Sequence, residues 1–314
     1  MLHVFPEVDF IGSITDKHIL DEATRGVHSV IHTAAYVDVQ LFPDTERLDL
    51  VNRQGTELLL EACCKNNVEI FIHCSTIAVI QGFENITNGN EDNIKSDNLL
   101  FGGYARSKRA GENAVLKMNG RQLPNGSTMR TVALRPVVVY GELDVHFVPV
   151  AIEAGVKNRG IMIDFCGSGY CTAQYAGNIA WAFVCAHKAM TSNNELGGEA
   201  FILQDDTPHN SMIRFCKPYF DIFDVTIYRS FIPFWMLYFV LQFIEVILMM
   251  ISPLKKIQFP FTLSMLIFTN LKTSVDISKA EHMLKYKPLY SPEESCKRST
   301  VYYKSLDFEN KKNK

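Results

Sequence analysis

The chain has 314 residues, enough for one large α/β domain or for a nucleotide-binding domain with a smaller companion. Hydrophobic residues make up 47% and charged residues 21%, which excludes a disordered chain. The net charge of −3 lacks the basic excess of a nucleic-acid binder, and the eight cysteines include no Cys-x-x-Cys and no Cys/His ligand spacing, so neither a nucleic-acid partner nor a metal is expected.

In chain order, residues 1–10 lack the basic start and apolar core of a signal peptide. Residues 8–12 read as a short strand, and Thr15-Asp16 caps a helix over 17–25. Residues 29–35 form a buried strand ending in the small Ala34-Ala35. Small side chains at a strand's carboxyl end let a ligand approach the backbone, as in the crevice of open α/β sheets. A helix is expected over 44–66, with Leu48, Val51, Leu58, Leu59 and Ala62 on its apolar face. Residues 68–74 make the next strand, closing in Ser75-Thr76. A helix follows over 103–118, and residues 129–141 supply another strand and its exit loop. Strands alternating with helices of this length predict a parallel, doubly wound sheet. Cys63, Cys64, Cys74 and Cys185 fall inside apolar runs, as reduced thiols of a cytosol-facing domain do.

After Gly141 the alternation loosens. Helices are expected over 147–158 and 177–190, and strands over 161–166 and 200–203, in a smaller region whose chain crosses back to the sheet. Residues 231–251 then run for 21 positions with Glu245 as the one charged side chain. That length crosses a hydrocarbon core of about 30 Å. Trp235 and Tyr238 stand towards one end, where interfacial aromatics belong, and Lys255-Lys256 follow. The other reading of this run is a core helix. A second apolar run over 257–271 is short for a crossing. A hairpin turning at Ser252-Pro253-Leu254 and dipping into one leaflet suits both runs better than a full span. Helices over 276–284 and 292–304 and a basic tail at 311–314 complete the chain.

Within the 103–118 helix, Tyr104 and Lys108 share one face at i, i+4 spacing. An ammonium beside a phenol stabilises the phenolate and draws its pKa of about 10 towards neutrality. Three strand ends join this pair: Cys74-Ser75-Thr76, His32-Thr33-Ala34-Ala35 and residues 134–141. A hydroxyl from Ser75 or Thr76, a tyrosine and a lysine suit removal of a proton from an alcohol while hydride leaves its carbon.

On these residues the sequence resembles the extended short-chain dehydrogenase/reductases and, within them, the 3β-hydroxysteroid dehydrogenase/Δ5–Δ4 isomerases. The matching stretches are 30–34, 52–63, 104–112, 133–136, 177–182, Asp205-Asp206-Thr207-Pro208-His209 and Tyr286-Lys287-Pro288-Leu289-Tyr290. They keep the family's order over nearly the whole chain. Many dehydrogenases share the Tyr104/Lys108 pair; the last two stretches point to the steroid branch. The resemblance implies that Tyr104 is the general base for a steroid 3-hydroxyl, and that Lys108 lowers its pKa and binds the nicotinamide ribose. Thr76 aligns best with the third catalytic residue, with Ser75 as runner-up. Ala34 would line the cofactor, together with Tyr104 and Lys108, and Pro136 and Val137 would flank the nicotinamide. It further implies NAD, with NADP still open, a steroid or sterol substrate, membrane lipid as partner, and an endoplasmic reticulum or mitochondrial membrane location. The oligomeric state stays open. His32 reads as a core histidine, Asn52 and Asn178 as caps, turn residues or site residues, and Arg135 as an ion-pair partner.

Two departures stand out. The family opens with a strand, a GxxGxxG turn and a helix that hold the pyrophosphate at a helix N-terminus. Here only Gly12 and Gly26 precede Gly55, so that unit is missing and the Rossmann-like sheet is expected to be N-terminally incomplete, with exposed apolar edges. Ser13 also replaces an aspartate common near the adenine. The expected organisation is a truncated NAD-binding domain over 1–145, a substrate-binding region over 146–230, a membrane-associated helical hairpin over 231–271, and C-terminal helices and tail over 272–314. Two functions are expected from this. One is a membrane-bound NAD-dependent 3β-hydroxysteroid dehydrogenase, with or without isomerase activity; the other is a catalytically silent membrane-associated sterol- or partner-binding protein. A sugar-nucleotide dehydrogenase is disfavoured by the apolar segment.

Overall fold

The computed structural model describes residues 10–165, 169–170, 172–259 and 261–308. Residues 8–9 of the first expected strand, residue 166 of the 161–166 strand, residue 260 of the second apolar run and the basic tail lie outside the described residues. Residues 10–12 form no strand.

The chain begins with helix α1, Lys17–Ala23, where the Asp16 carboxylate accepts the backbone N–H groups of His18 and Ile19. Strand β1 is Ser29–His32. Helix α2, Thr45–Asp49, passes through one wide turn at Leu50–Gln54 into α3, Gly55–Lys65. The next elements are β2, Ile70–Cys74, β3, Ile86–Gly89, and α4, Gly102–Lys117. Strands β4, Arg121–Gln122, β5, Thr128–Pro136, and β6, Val138–Tyr140, follow. Then come α5, Val148–Lys157, β7, Ile161–Asp164, β8, Ala173–Tyr175, and α6, Ala176–Ser192. They are succeeded by β9, Glu199–Leu203, the short α7, Met212–Phe215, and α8, Lys217–Phe220, and β10, Thr226–Arg229. The last part holds α9, Phe234–Ile251, α10, Leu263–Asn270, β11, Thr273–Val275, α11, Ser278–Met283, and α12, Pro292–Lys304.

Strands β1, β2, β5 and β9 form a parallel sheet in that spatial order, with β4 hairpinned onto β5. Alternation along β2 decides which helices cover it. Ile70 and Ile72 face α6 and α11 in one core, with Val132, Leu134 and Phe183. Phe71 faces α1, α3 and α4 in another, with Leu59, Leu60 and Val115. Helices on both faces make this an α/β, doubly wound, Rossmann-like sheet. Strand β1 is its edge, and Ile31 there is 45% exposed.

A further core gathers Tyr140, Ile152, Tyr175, Tyr219, Phe220 and Tyr303 from β6, α5, β8, α8 and α12. The sheet core meanwhile recruits α6, β9 and α11. The cores therefore interleave along the chain. The hairpin turn at residues 252–254 is present, between α9 and α10.

Candidate active site

Strand β2 ends where its side chains stop pairing with the core. Beyond it, the Ser75 N–H still bonds the Leu134 carbonyl at 2.7 Å, which fixes the direction of the exit loop. Thr76 then caps a short turn over Ile77–Val79, its Oγ1 accepting the Ala78 N–H at 3.2 Å. The hydroxyl proton stays available, and the Thr76 side chain lies near enough to the Tyr104 phenol to favour its charged form. Of the two hydroxyls expected at this strand end, Thr76 is the one that acts on the Tyr104 phenol. Ser75 Oγ is buried with no hydrogen-bond partner.

Tyr104 lies in the first turn of α4, its ring packed with Ala78, Leu99, Phe101 and Ala105. Burial pushes its phenol up to about 12, the Cys74 thiol adds to the rise, and the Thr76 hydroxyl opposes both. The expected fall towards neutrality is thus reversed here. Burial is the reason; Lys108, 2% exposed, meanwhile donates its Nζ to the Cys74 carbonyl at 2.7 Å. Burial also lowers the Lys108 ammonium's pKa, with Cys74 and Glu112 acting against it. One turn on, the buried Glu112 accepts Arg135 Nε at 2.8 Å and Nη2 at 2.6 Å, so Arg135 is an ion-pair partner.

Two histidines flank this group from the sheet. His32 and His73 are paired across β1 and β2, with ring centroids 5.0 Å apart. His32 Nε2 bonds Thr56 Oγ1 at 2.9 Å, as a satisfied core histidine does. His73 is buried with neither ring nitrogen partnered. Burial, reinforced by the Lys108 charge, lowers the pKa of both, His32 to about 3.

Asn52 sits in the wide turn between α2 and α3 and is no helix cap. Its Oδ1 accepts the Tyr36 N–H at 2.8 Å, and its Nδ2 donates to the Tyr36 carbonyl and to Ser107 Oγ, both at 2.9 Å. It therefore ties the loop after β1 to α4. The sequence signalled Asn52 and Ser107 only through their matched stretches; His73 carried no signal. Ala34 is exposed at the end of β1, open to a ligand. Pro136 is buried at the end of β5, while Val137, 5% exposed, packs with Ile77, Val79 and Ile202. Its side chain therefore belongs to the core, and only its backbone lies at the strand break.

The steroid-branch stretches serve as scaffold. The Asp205 carboxylate accepts the Tyr175 and Thr207 N–H groups and Asn178 Nδ2. Asn178 also donates to the Tyr290 carbonyl and accepts the Leu289 and Tyr290 N–H groups. His209 stacks on Tyr170, with centroids 5.5 Å apart.

The fold is shared by solved structures of low sequence identity. MoeE5 in complex with UDP-glucuronic acid and NAD superposes with a TM-score of 0.66 at 15% identity, over 93% of this chain and 83% of that one. RMD from Pseudomonas aeruginosa complexed with NADPH gives 0.65 at 15% identity, over 93% and 87%. UDP-glucuronic acid 4-epimerase from Bacillus cereus, in complex with UDP-glucuronic acid and NAD, gives 0.66 at 19% identity, over 92% and 79%. The sequence profile of the 3-beta hydroxysteroid dehydrogenase/isomerase family matches residues 6–232. With its Tyr104, Lys108 and Thr76 in place on a doubly wound sheet, the chain belongs to the 3-beta hydroxysteroid dehydrogenase/isomerase family.

Proposed function

We propose that this protein is an NAD(P)-dependent dehydrogenase that oxidises a steroid 3β-hydroxyl to the ketone, with NAD as the preferred cofactor. Family membership and the NAD- and NADPH-bound fold neighbours support the cofactor class. The observation that carries the chemistry is the Thr76 hydroxyl set towards the Tyr104 phenol, with the buried Lys108 one turn further along α4.

The residues present fit the nicotinamide–ribose end of the cofactor. Ala34 is open at the β1 end, and Lys108 lies within reach of the β2 end. The described residues hold no glycine-rich turn for the pyrophosphate. NAD, when bound, supplies the hydride acceptor. Thr76 orients the substrate hydroxyl, and Tyr104 Oη takes its proton. For Tyr104 to act near neutral pH, Lys108 Nζ must turn from the Cys74 carbonyl towards the phenol; the nearby charge then offsets burial. The apolar α9 supports attachment of the enzyme to an endoplasmic reticulum or mitochondrial membrane, with the α9–α10 hairpin in one leaflet.

Steroid turnover with NAD by the full-length chain tests this reading, followed by NADH absorbance. Tyr104→Phe is expected to lower kcat about a thousandfold with Tm unchanged; an unchanged rate would overturn the assignment. A second reading, a silent sterol-binding protein, is favoured by the raised phenol pKa and the Lys108–Cys74 bond. Sterol binding by calorimetry without any NAD binding would select it.

A further inference from the structure

We propose that the outer face of the β7–β10 ribbon is a second lipid-contacting surface, continuous with α9. This rests on the membrane reading of α9 above and extends it to a part of the fold that carries no long apolar run.

Helix α9 is the one described helix long and apolar enough to cross a membrane. Its sides are not alike. Leu237, Leu241, Ile244, Glu245 and Leu248 turn towards the protein at helical spacing. The opposite side is bare: Trp235 is 62% exposed, Phe239 61% and Phe243 67%. Glu245 accepts the Leu263 N–H at 2.5 Å, so the single charge of α9 caps α10. Beyond the hairpin turn, Gln258 bonds both the N–H and the carbonyl of Phe42. Helix α9 is thus tied to the body at its middle and beyond its end. It lies along the protein with one flank outward, as an interfacial helix does, rather than projecting across a bilayer.

The ribbon meets the α9–α10 unit at both of its borders. Strand β10 runs into α9 through Ser230 and Phe231, and Phe231 is 95% exposed. At the far border, Phe165, just after β7, packs against Phe261, just before α10, with centroids 6.0 Å apart. Parallel pairing sets Ile163 opposite Tyr228 and Met162 opposite Ile227. Met162 and Ile227 pack inward on the second core. Ile163 and Tyr228 therefore share the outer face, at 37% and 56% exposure, with Ile161 beside them at 40%. Thr226, opposite Ile161, is the one polar side chain on a face otherwise built of isoleucine and tyrosine, and such an apolar face has little reason to face water. Exposed cations outnumber anions around the surface as a whole: Arg159 before β7 and Arg229 at the end of β10 stand against Asp224 before β10, and Lys255 and Lys256 follow the turn after α9. Apolar side chains inside a cationic border match an anionic lipid interface, with Tyr228 and Trp235 at headgroup level.

The test is flotation of the full chain with vesicles of phosphatidylcholine containing about one-quarter phosphatidylserine. The variant Ile163→Ser with Tyr228→Ser is expected to lose partitioning about tenfold or more at unchanged Tm. Phe239→Ser with Phe243→Ser tests α9 in parallel. If the α9 variant detaches and the ribbon variant floats like the native chain, the ribbon proposal is overturned and the α9 reading stands. If the native chain itself stays off the vesicles, both fall. If the ribbon variant instead dissociates a dimer with unchanged flotation, the face belongs to a second copy and the proposal is overturned. Should the serine variant unfold, Tyr228→Trp in a Trp181→Phe, Trp235→Phe background decides. Its emission is expected to be quenched by lipid brominated in the acyl chain, and unquenched emission from bound protein would refute the contact.

Discussion

His32 and His73 face each other across β1 and β2, both buried, beside the Lys108 ammonium. Burial holds both imidazoles neutral, His32 down to about 3 from an ordinary 6.5. Below pH 6.5 the unfolded chain takes up protons on these rings while the folded chain does not. The unfolded state then binds more protons, so stability rises with pH through this window and is lost as acid is added. Moving from pH 7 to pH 5 is expected to cost about 2 kcal/mol through His32 alone. His32→Gln, whose amide can still reach Thr56, should shrink the difference between denaturant midpoints at the two pH values. A pH dependence equal to that of the native chain would show that His32 is protonated in the fold.

The site depends on how closely α4 approaches the α2–α3 helix. At Gly111 a Cβ would overlap the Asn52 carbonyl oxygen. Alanine normally improves a helix interior by about 0.5–1 kcal/mol over glycine. Backbone overlap costs more, about 1–3 kcal/mol, so Gly111→Ala should lower Tm by several degrees. Calorimetry checks it, and a raised Tm would mean that the helices can part. This is also where legibility from sequence ends. Helix α4 was expected over 103–118 and spans Gly102–Lys117; α12 was expected over 292–304 and spans Pro292–Lys304. Each has a continuous periodic run, and Ser291 caps α12. Residues 44–66 read as one helix because periodicity does not register a single wide turn. That turn carries Asn52, whose bonds to Tyr36 and Ser107 come from distant parts of the chain. The i, i+4 spacing placed Tyr104 and Lys108 on one face. The partner of Lys108 is a main-chain carbonyl, which leaves no mark on composition or pattern. The β7–β10 pairing was missed for a similar reason: four-residue strands far apart in sequence find each other only through the core beneath them.

At the scale of the molecule, the sheet core and the second core are joined at Asn178. Fully buried at the start of α6, it bonds Asp205 and the backbone of Leu289 and Tyr290. Its amide thus links the end of the sheet to the segment that leads into α12. Removing it leaves several buried polar groups without partners, each costing about 1–3 kcal/mol. Asn178→Ala is expected to destabilise the chain by about 3 kcal/mol or more, measured by guanidinium unfolding. A loss below about 1 kcal/mol would mean that the cores are held by apolar contact alone.

The bond from Lys108 to the Cys74 carbonyl has an evolutionary reading. It closes the end of a central strand, so selection for folding alone retains the lysine. Tyr104 fills its place with its ring, beside Ala78 and Leu99, where phenylalanine would pack equally well. In a lineage that stops turning over substrate, the lysine persists and the tyrosine drifts. On the chemistry proposed above, position 104 among descendants of this chain would record whether that chemistry is still under selection, whereas position 108 would record only that the protein still folds.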